Sequence, residues 1–396
     1  MKFLYHHRTL GRGGEGVHIA SMVRALETLG HTTTMASPSG VDPLAMAGDS
    51  PIDKGQSKVR GINRIWKFVS CWVPDIVFEI LEISYNLVVL FRLGPVLKRR
   101  GQDVYYERYA FFMFMGVFLA KYFGWPVLLE VNEVVGVQRA RNQLLIPVSK
   151  WFEKMVFKKA DVILTVSSFL KEEVLRRSGK AKGVYVIPNA IDSRTLETKV
   201  TGEHIRTRYA FNGSIVVGFA GWFDTWDRLD LLIDVVRDIH EVYPFVRLML
   251  VGNGPIADKL RDQVRQRKLE EVVFLTGPVP RSEVLSYIAA MDICVLPDSN
   301  VFGSPIVLFE FMGMGKAVIA PDLLPIRDII EDRKEGLIVQ RGDSHSLRQA
   351  LSLLLSDSAL RIELGERARQ KVLTKHTWYE NGKHVERFAS ALMEKS

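Results

Sequence analysis

The chain has 396 residues, 47% of them hydrophobic and 25% charged, which is the balance of an ordinary globular protein and excludes a disordered or low-complexity chain. That length allows two or three domains and enough buried surface to fold without staples. The formal net charge of +8 suits an anionic partner, a nucleotide or a membrane surface; without an arginine-rich low-complexity tail, nucleic acid is not an expected partner.

The first residues hold one basic residue and a very short apolar run, too short for a signal peptide, so a cytoplasmic location is expected. Residues 2–5 read as a short buried strand. Gly11, Gly13, Gly14 and Gly16 punctuate a turn, and Val17, Ile19, Val23 and Leu26 then recur at helical spacing until Gly30. With a strand at 32–35, this is a βαβ opening. Residues 38–60 are loop-like. In 61–100, Trp66, Phe68 and Trp72 stand among Arg64, Lys67, Arg92, Lys98, Arg99 and Arg100. The stretch 109–123 is apolar, but its uninterrupted part, 109–120, is shorter than the about 20 residues that span a bilayer; it reads as a core or interfacial helix. These two regions fit either docking on an anionic membrane surface or the core of the first domain. Cys71 and Cys294 lie far apart with no metal-ligand spacing and read as buried reduced thiols.

Short apolar runs at 127–131, 162–166 and 184–187 have the character of buried parallel strands. The polar segment 198–214 reads as a linker. Strands follow at 215–219, 247–251, 272–275, 293–296 and 317–320, with helical patterns at 229–242, 255–269, 282–291, 306–314 and 345–355 between and after them. Strand and helix alternating twice, with a break near 200, predict an α/β protein of two doubly wound domains.

The second half carries a family resemblance. Gly218-Phe219-Ala220-Gly221, Val251-Gly252-Asn253-Gly254-Pro255, Phe274-Leu275-Thr276-Gly277-Pro278-Val279 and Pro305-Ile306-Val307-Leu308-Phe309-Glu310 followed by Gly315-Lys316 resemble the donor domain of retaining family-four glycosyltransferases. Ile187-Pro188-Asn189-Ala190-Ile191-Asp192 resembles the motif that closes their first domain, with Ala190 in place of glycine. The resemblance implies the GT-B fold: two Rossmann-like domains facing a cleft. Residues 1–198 would take the acceptor, 199–377 would take a nucleotide-diphosphate sugar, and the helix at 378–396 would cross back onto the first. It implies sugar transfer to a hydroxyl acceptor with retention and no cofactor beyond the donor; the basic aromatic region 61–100 and the stretch 109–123 add the expectation of a glycan or lipid-linked acceptor and of association with the inner membrane face.

Glu310 leads the candidates: a carboxylate can accept two hydrogen bonds from a ribose diol, and a charge inside an apolar run is costly unless it is used. Gly303, Ser304, Ile306 and Val307 lead into a helix N-terminus suited to phosphate, although Pro305 lacks an N–H. Eight positions before Glu310, where the resemblance calls for a second glutamate, stands Phe302. Where it calls for an arginine and a lysine stand Trp222 and Asp227, which leaves Arg228 as the nearby cation to clamp the leaving diphosphate. Gly13, Gly14 and Gly221 allow close backbone approach, and Gly277 and Val279 would present backbone groups to the base. Asn132 and Glu133 occupy the place of the family's acceptor-facing histidine; Glu133 could serve as a base or hold an acceptor hydroxyl. Glu107 and Arg108 are further acceptor candidates. With no metal-binding Asp-x-Asp in a suitable loop, helix amides and Arg228 would carry the charge. Two other readings fit this architecture: a silent relative that binds a sugar nucleotide or a partner, and a nucleotide-sugar epimerase.

Overall fold

The computed structural model describes residues 1–9, 14–37, 44, 75–137, 143–196 and 200–394. They form two compact units. The first holds the described residues up to Pro188 and those from Asn381 onward; the second is Asn189–Glu380.

In the first unit the elements run β1 (Lys2–His6), α1 (Gly14–Thr28), β2 (Thr32–Ala36), α2 (Asp75–Lys98), β3 (Val104–Arg108), α3 (Met115–Tyr122), β4 (Val127–Val131), α4 (Ile146–Lys159), β5 (Val162–Thr165), α5 (Ser168–Ser178) and β6 (Val184–Val186). All strand pairs are parallel, in the order β2-β1-β3-β4-β5-β6. Strands β1, β3, β4 and β5 are buried along nearly their whole length, as in parallel sheets that helices cover on both faces, while the edge strand β2 is a half-exposed run led by threonines. Residues 109–123 are not one helix. The backbone turns at Phe112 (φ 57), and Tyr109, Phe111, Phe112 and Met113 are buried in the core.

The second unit follows as α6 (Glu203–Arg208), β7 (Ile215–Trp222), α7 (Leu229–His240), β8 (Val246–Asn253), α8 (Ala257–Gln266), β9 (Val273–Gly277), α9 (Val284–Ala290), β10 (Ile293–Val295), α10 (Ile306–Gly313), β11 (Ala317–Pro321), α11 (Leu324–Arg327), β12 (Leu337–Val339), α12 (Ser344–Ser356), α13 (Ser358–Lys375) and α14 (Trp378–Met393). Its sheet, also parallel throughout, has the order β12-β11-β10-β7-β8-β9. One hydrophobic cluster runs through it from Ile191 to Val372 and includes Cys294; Cys71 lies outside the described residues.

The linker expected at 198–214 is corrected. Ile205 on α6 and Phe211 are buried in the second core, and Phe211 packs edge-on against Phe274 at 4.9 Å. The chain instead divides after Pro188, because Ile191 bridges to Thr377 and accepts from the Trp378 amide. From Asn381 onward α14 belongs to the first unit. Asn381 donates to the Pro188 carbonyl at 2.8 Å, and Phe388 stacks on Tyr185 at 4.2 Å.

Candidate active site

An open parallel sheet binds ligands at the carboxyl ends of its strands, where the strand order reverses. In the second unit that point lies between β7 and β10. Glu310 sits on α10, the helix that follows β10, and is 3% exposed. Its carboxylate is paired with the guanidinium of Arg281, which comes from the turn after β9. The Glu310 charge, working against burial, raises the pKa of Arg281. Position predicts Glu310; nothing in the sequence predicts Arg281 as its partner. A carboxylate offers about four acceptor sites, so the pair leaves room for a diol and fixes the orientation in which it would be met.

The loop into α10 is built rather than slack. Asn300 Oδ1 accepts the amides of Phe302 at 3.3 Å and Gly303 at 2.5 Å. Ser304, expected to meet the donor, is buried; its hydroxyl accepts from the Asn189 amide at 3.1 Å, and the Asn189 side chain donates to its carbonyl. It anchors the loop. Ile306 and Val307 form the first turn of α10, and helix geometry gives their amides no carbonyl within the helix. Gly277 has a positive φ of 75 with open space beside it, while Val279 is buried.

Strand β7 ends in Gly221 and the exposed Trp222. A Cβ on Gly252 would lie 1.9 Å from the Gly221 carbonyl oxygen, so these strand ends approach as only glycine permits. Arg228 caps α7 in the left-handed region and pairs with Asp230, Nε to Oδ1 at 3.1 Å. A Cβ at Gly342 would be 4.0 Å from Arg228 Nη1. The neighbouring Arg341 grips the buried Asp298 at 2.7 and 2.9 Å. Two guanidiniums, one of them missed by sequence reasoning, thus stand near the carboxyl ends of β7, β10 and β12. Asp227 accepts from the Asp224 amide at 2.9 Å. Burial, together with the charges of Asp224 and Asp298, pushes its carboxyl up to about 7.

In the first unit the order reverses between β1 and β3. Glu130, at the end of β4, collects His18 Nε2 at 2.9 Å, Arg108 Nη1 at 2.5 Å, Asn132 Nδ2 at 2.7 Å and the Tyr106 hydroxyl at 2.8 Å. Burial alone would raise its pKa, but His18 and Arg108 hold the carboxyl well below the usual range. Arg108 is likewise kept charged: burial opposes its charge, and Glu130, Glu15 and Glu133 overcome that. Sequence reasoning missed Glu130 as the hub, although a carboxylate closing the apolar run of β4 was the available signal. Asn132 is bound to this hub, and Glu133 follows it, half-buried. Glu107, expected to face an acceptor, is completely buried. His6 Nδ1 lies 2.7 Å from both its Oε2 and the Tyr105 hydroxyl, which donates to the same oxygen. It braces strand ends instead. Gly14 is the exposed first residue of α1; Gly13 lies outside the described residues.

A family described as "Glycosyl transferases group 1" matches residues 203–371, and one described as "Glycosyltransferase Family 4" matches residues 12–195. A glycosyltransferase of Methanocaldococcus jannaschii is 22% identical over 64% of this chain and 64% of its own length. The alpha-D-kanosaminyltransferase of Streptomyces kanamyceticus is 24% identical over 56% of this chain and 58% of its own. The chain therefore spans less than two thirds of the length of either. The crystal structure of Anabaena HepE in complex with UDP superposes with a TM-score of 0.72 at 14% identity, covering 99% of this chain and 100% of that one. Two family matches that between them run over both units, on two doubly wound parallel sheets, make this chain a member of the GT-B glycosyltransferases of the group 1, family-four type.

Proposed function

We propose that this protein transfers a sugar from a nucleotide-diphosphate sugar to a hydroxyl of a glycan or lipid-linked acceptor of polysaccharide synthesis, with retention and without a metal ion. Glu310 carries the reading: a carboxylate sealed from solvent, oriented by Arg281, beside the switch point of the second sheet. There it accepts the ribose hydroxyls. The amides of Ile306 and Val307 receive the diphosphate, and Arg228, with Arg341 beside it, neutralises the charge that develops as the diphosphate leaves. The acceptor oxygen bonds to the anomeric carbon on the face from which the phosphate oxygen departs, and the acceptor proton passes to that phosphate oxygen. Glu133 and Arg108 orient the acceptor. The UDP held by HepE and the sugar transfer named for the Streptomyces kanamyceticus relative support the donor class.

The test is thermal stabilisation across UDP-, GDP-, ADP- and dTDP-sugars, because a ligand of the folded state raises its melting point. One nucleotide should shift it clearly, and Glu310→Ala should remove the shift. Turnover should then survive EDTA and give a product whose anomeric configuration, read by NMR, matches the donor. A shift with none of the nucleotides, or an inverted product, overturns the reading. Phe302, Trp222 and Asp227, where the family pattern has charged residues, favour a second reading in which the chain binds donor without consuming it; a melting shift with no donor consumption identifies that case.

A further inference from the structure

Two helices of the first unit, α2 and α4, turn apolar side chains to solvent. On α2, Val77, Ile80, Leu87, Val88 and Phe91 recur at helical spacing and are exposed, Phe91 to 74%. Glu79, Asn86, Val89, Leu93 and Leu97 are buried on the same helix, so the two sets define opposite faces. On α4 the exposed residues include Val148 and Trp151, the latter at 56%, with exposed Leu144 just ahead of the helix. The two helices are joined: the Glu79 carboxylate accepts the amides of Leu144 and Leu145 at 2.8 and 2.7 Å.

The exposed charges that α2 and α4 carry have one sign, while Asp75 and Glu82 of α2 are half-buried and Glu82 is paired with Arg8. Lys150, Lys154, Lys158 and Lys159 are exposed on α4, and Lys98, Arg99 and Arg100 are exposed at the end of α2. The one carboxylate of α4, Glu153, is buried and paired with Arg177 at 2.6 Å. After Glu82, α2 carries no acid. Among the described residues no helix is long and apolar enough to cross a membrane.

We infer that the α2–α4 face docks this protein on an anionic phospholipid surface, with the apolar stripe entering the headgroup boundary and the lysines pairing with lipid phosphates. Large exposed apolar area mixed with cations and free of exposed carboxylates is the pattern of a helix lying in the membrane plane. The inference concerns the surface alone and holds whether or not a donor is turned over.

Flotation of the full chain with phosphatidylglycerol–phosphatidylcholine vesicles tests it, against phosphatidylcholine alone. Binding should require the anionic lipid and weaken as salt is raised. Leu87→Ser with Phe91→Ser, or Lys150→Glu with Lys154→Glu, should each cut binding by at least about tenfold. All four positions are exposed, and unchanged melting points confirm that the variants fold. Brominated phosphatidylglycerol should quench tryptophan emission less in Trp151→Phe. The inference is overturned by no binding at low salt, or by binding that neither pair of substitutions weakens. It is also overturned if light scattering shows a dimer that Phe91→Ser dissolves while vesicles remain unbound, since the face then meets a second copy.

Discussion

Asp227 stands where the family pattern has a lysine, and its surroundings show what the exchange does. It is buried beside Asp224 and Asp298, and its carboxyl titrates near 7 where 3.8 is usual. Between about pH 4 and 7 the folded chain therefore holds a proton there that the unfolded chain has lost. Stability contributed at this position falls as pH rises through that window and stays low above it. Asp227→Asn keeps an acceptor for the Asp224 amide and removes the titration. Its stability relative to the parent should grow from about zero near pH 4 to as much as about 4 kcal/mol near pH 8. Denaturant unfolding across that range measures it, and a flat difference would mean that the carboxyl is ionised in the fold. Asp227 also shows how far single residues can be read. Glu310 was legible because a charge inside an apolar run needs a reason. Arg281 and Arg341 were not, because a long side chain finds its partner through tertiary packing that no local spacing records.

At the scale of elements, α3 gives the clearest local constraint. A Cβ on Gly116 would sit 2.1 Å from both Glu107 Oε2 and the Tyr105 hydroxyl and 2.9 Å from His6 Nδ1. All three groups are completely buried and bound to one another, so none can swing away cheaply. Gly116→Ala should destabilise the fold by about 1–3 kcal/mol, the usual range for overpacking. Gly101→Ala, with nothing within 4 Å, should change little in the same denaturation series. An equal, small effect at both sites would mean that the strand ends are not braced as described. The strand positions were mostly legible, because a strand covered on both faces is an unbroken apolar run. Strand β3 was harder, since Val104-Tyr105-Tyr106-Glu107-Arg108 ends in two charges whose partners lie on other strands, and three-residue β12 is too short to show a period. The stretch 109–123 read as continuous because composition cannot reveal the left-handed turn at Phe112.

At the scale of the molecule, the doubled strand–helix alternation was legible, while the boundary fell elsewhere because core contacts, not local polarity, decide which unit a segment joins. Ile205 and Phe211 are enough to recruit a polar stretch. Each unit has its own sheet and buried core, so heating need not be two-state, and the proposed nucleotide contacts all lie in Asn189–Glu380. Calorimetry of the full chain should then resolve two transitions. Gly116→Ala marks the one belonging to the first unit by lowering it. The nucleotide selected in the stabilisation panel, at about 100 times its Kd, should add about 2.7 kcal/mol to the other and leave the marked transition in place. If the nucleotide raises the marked transition as well, by the same amount, then the second unit does not hold it alone. Glu310→Ala would separate that outcome from general stabilisation, because it should abolish the shift wherever the shift appears.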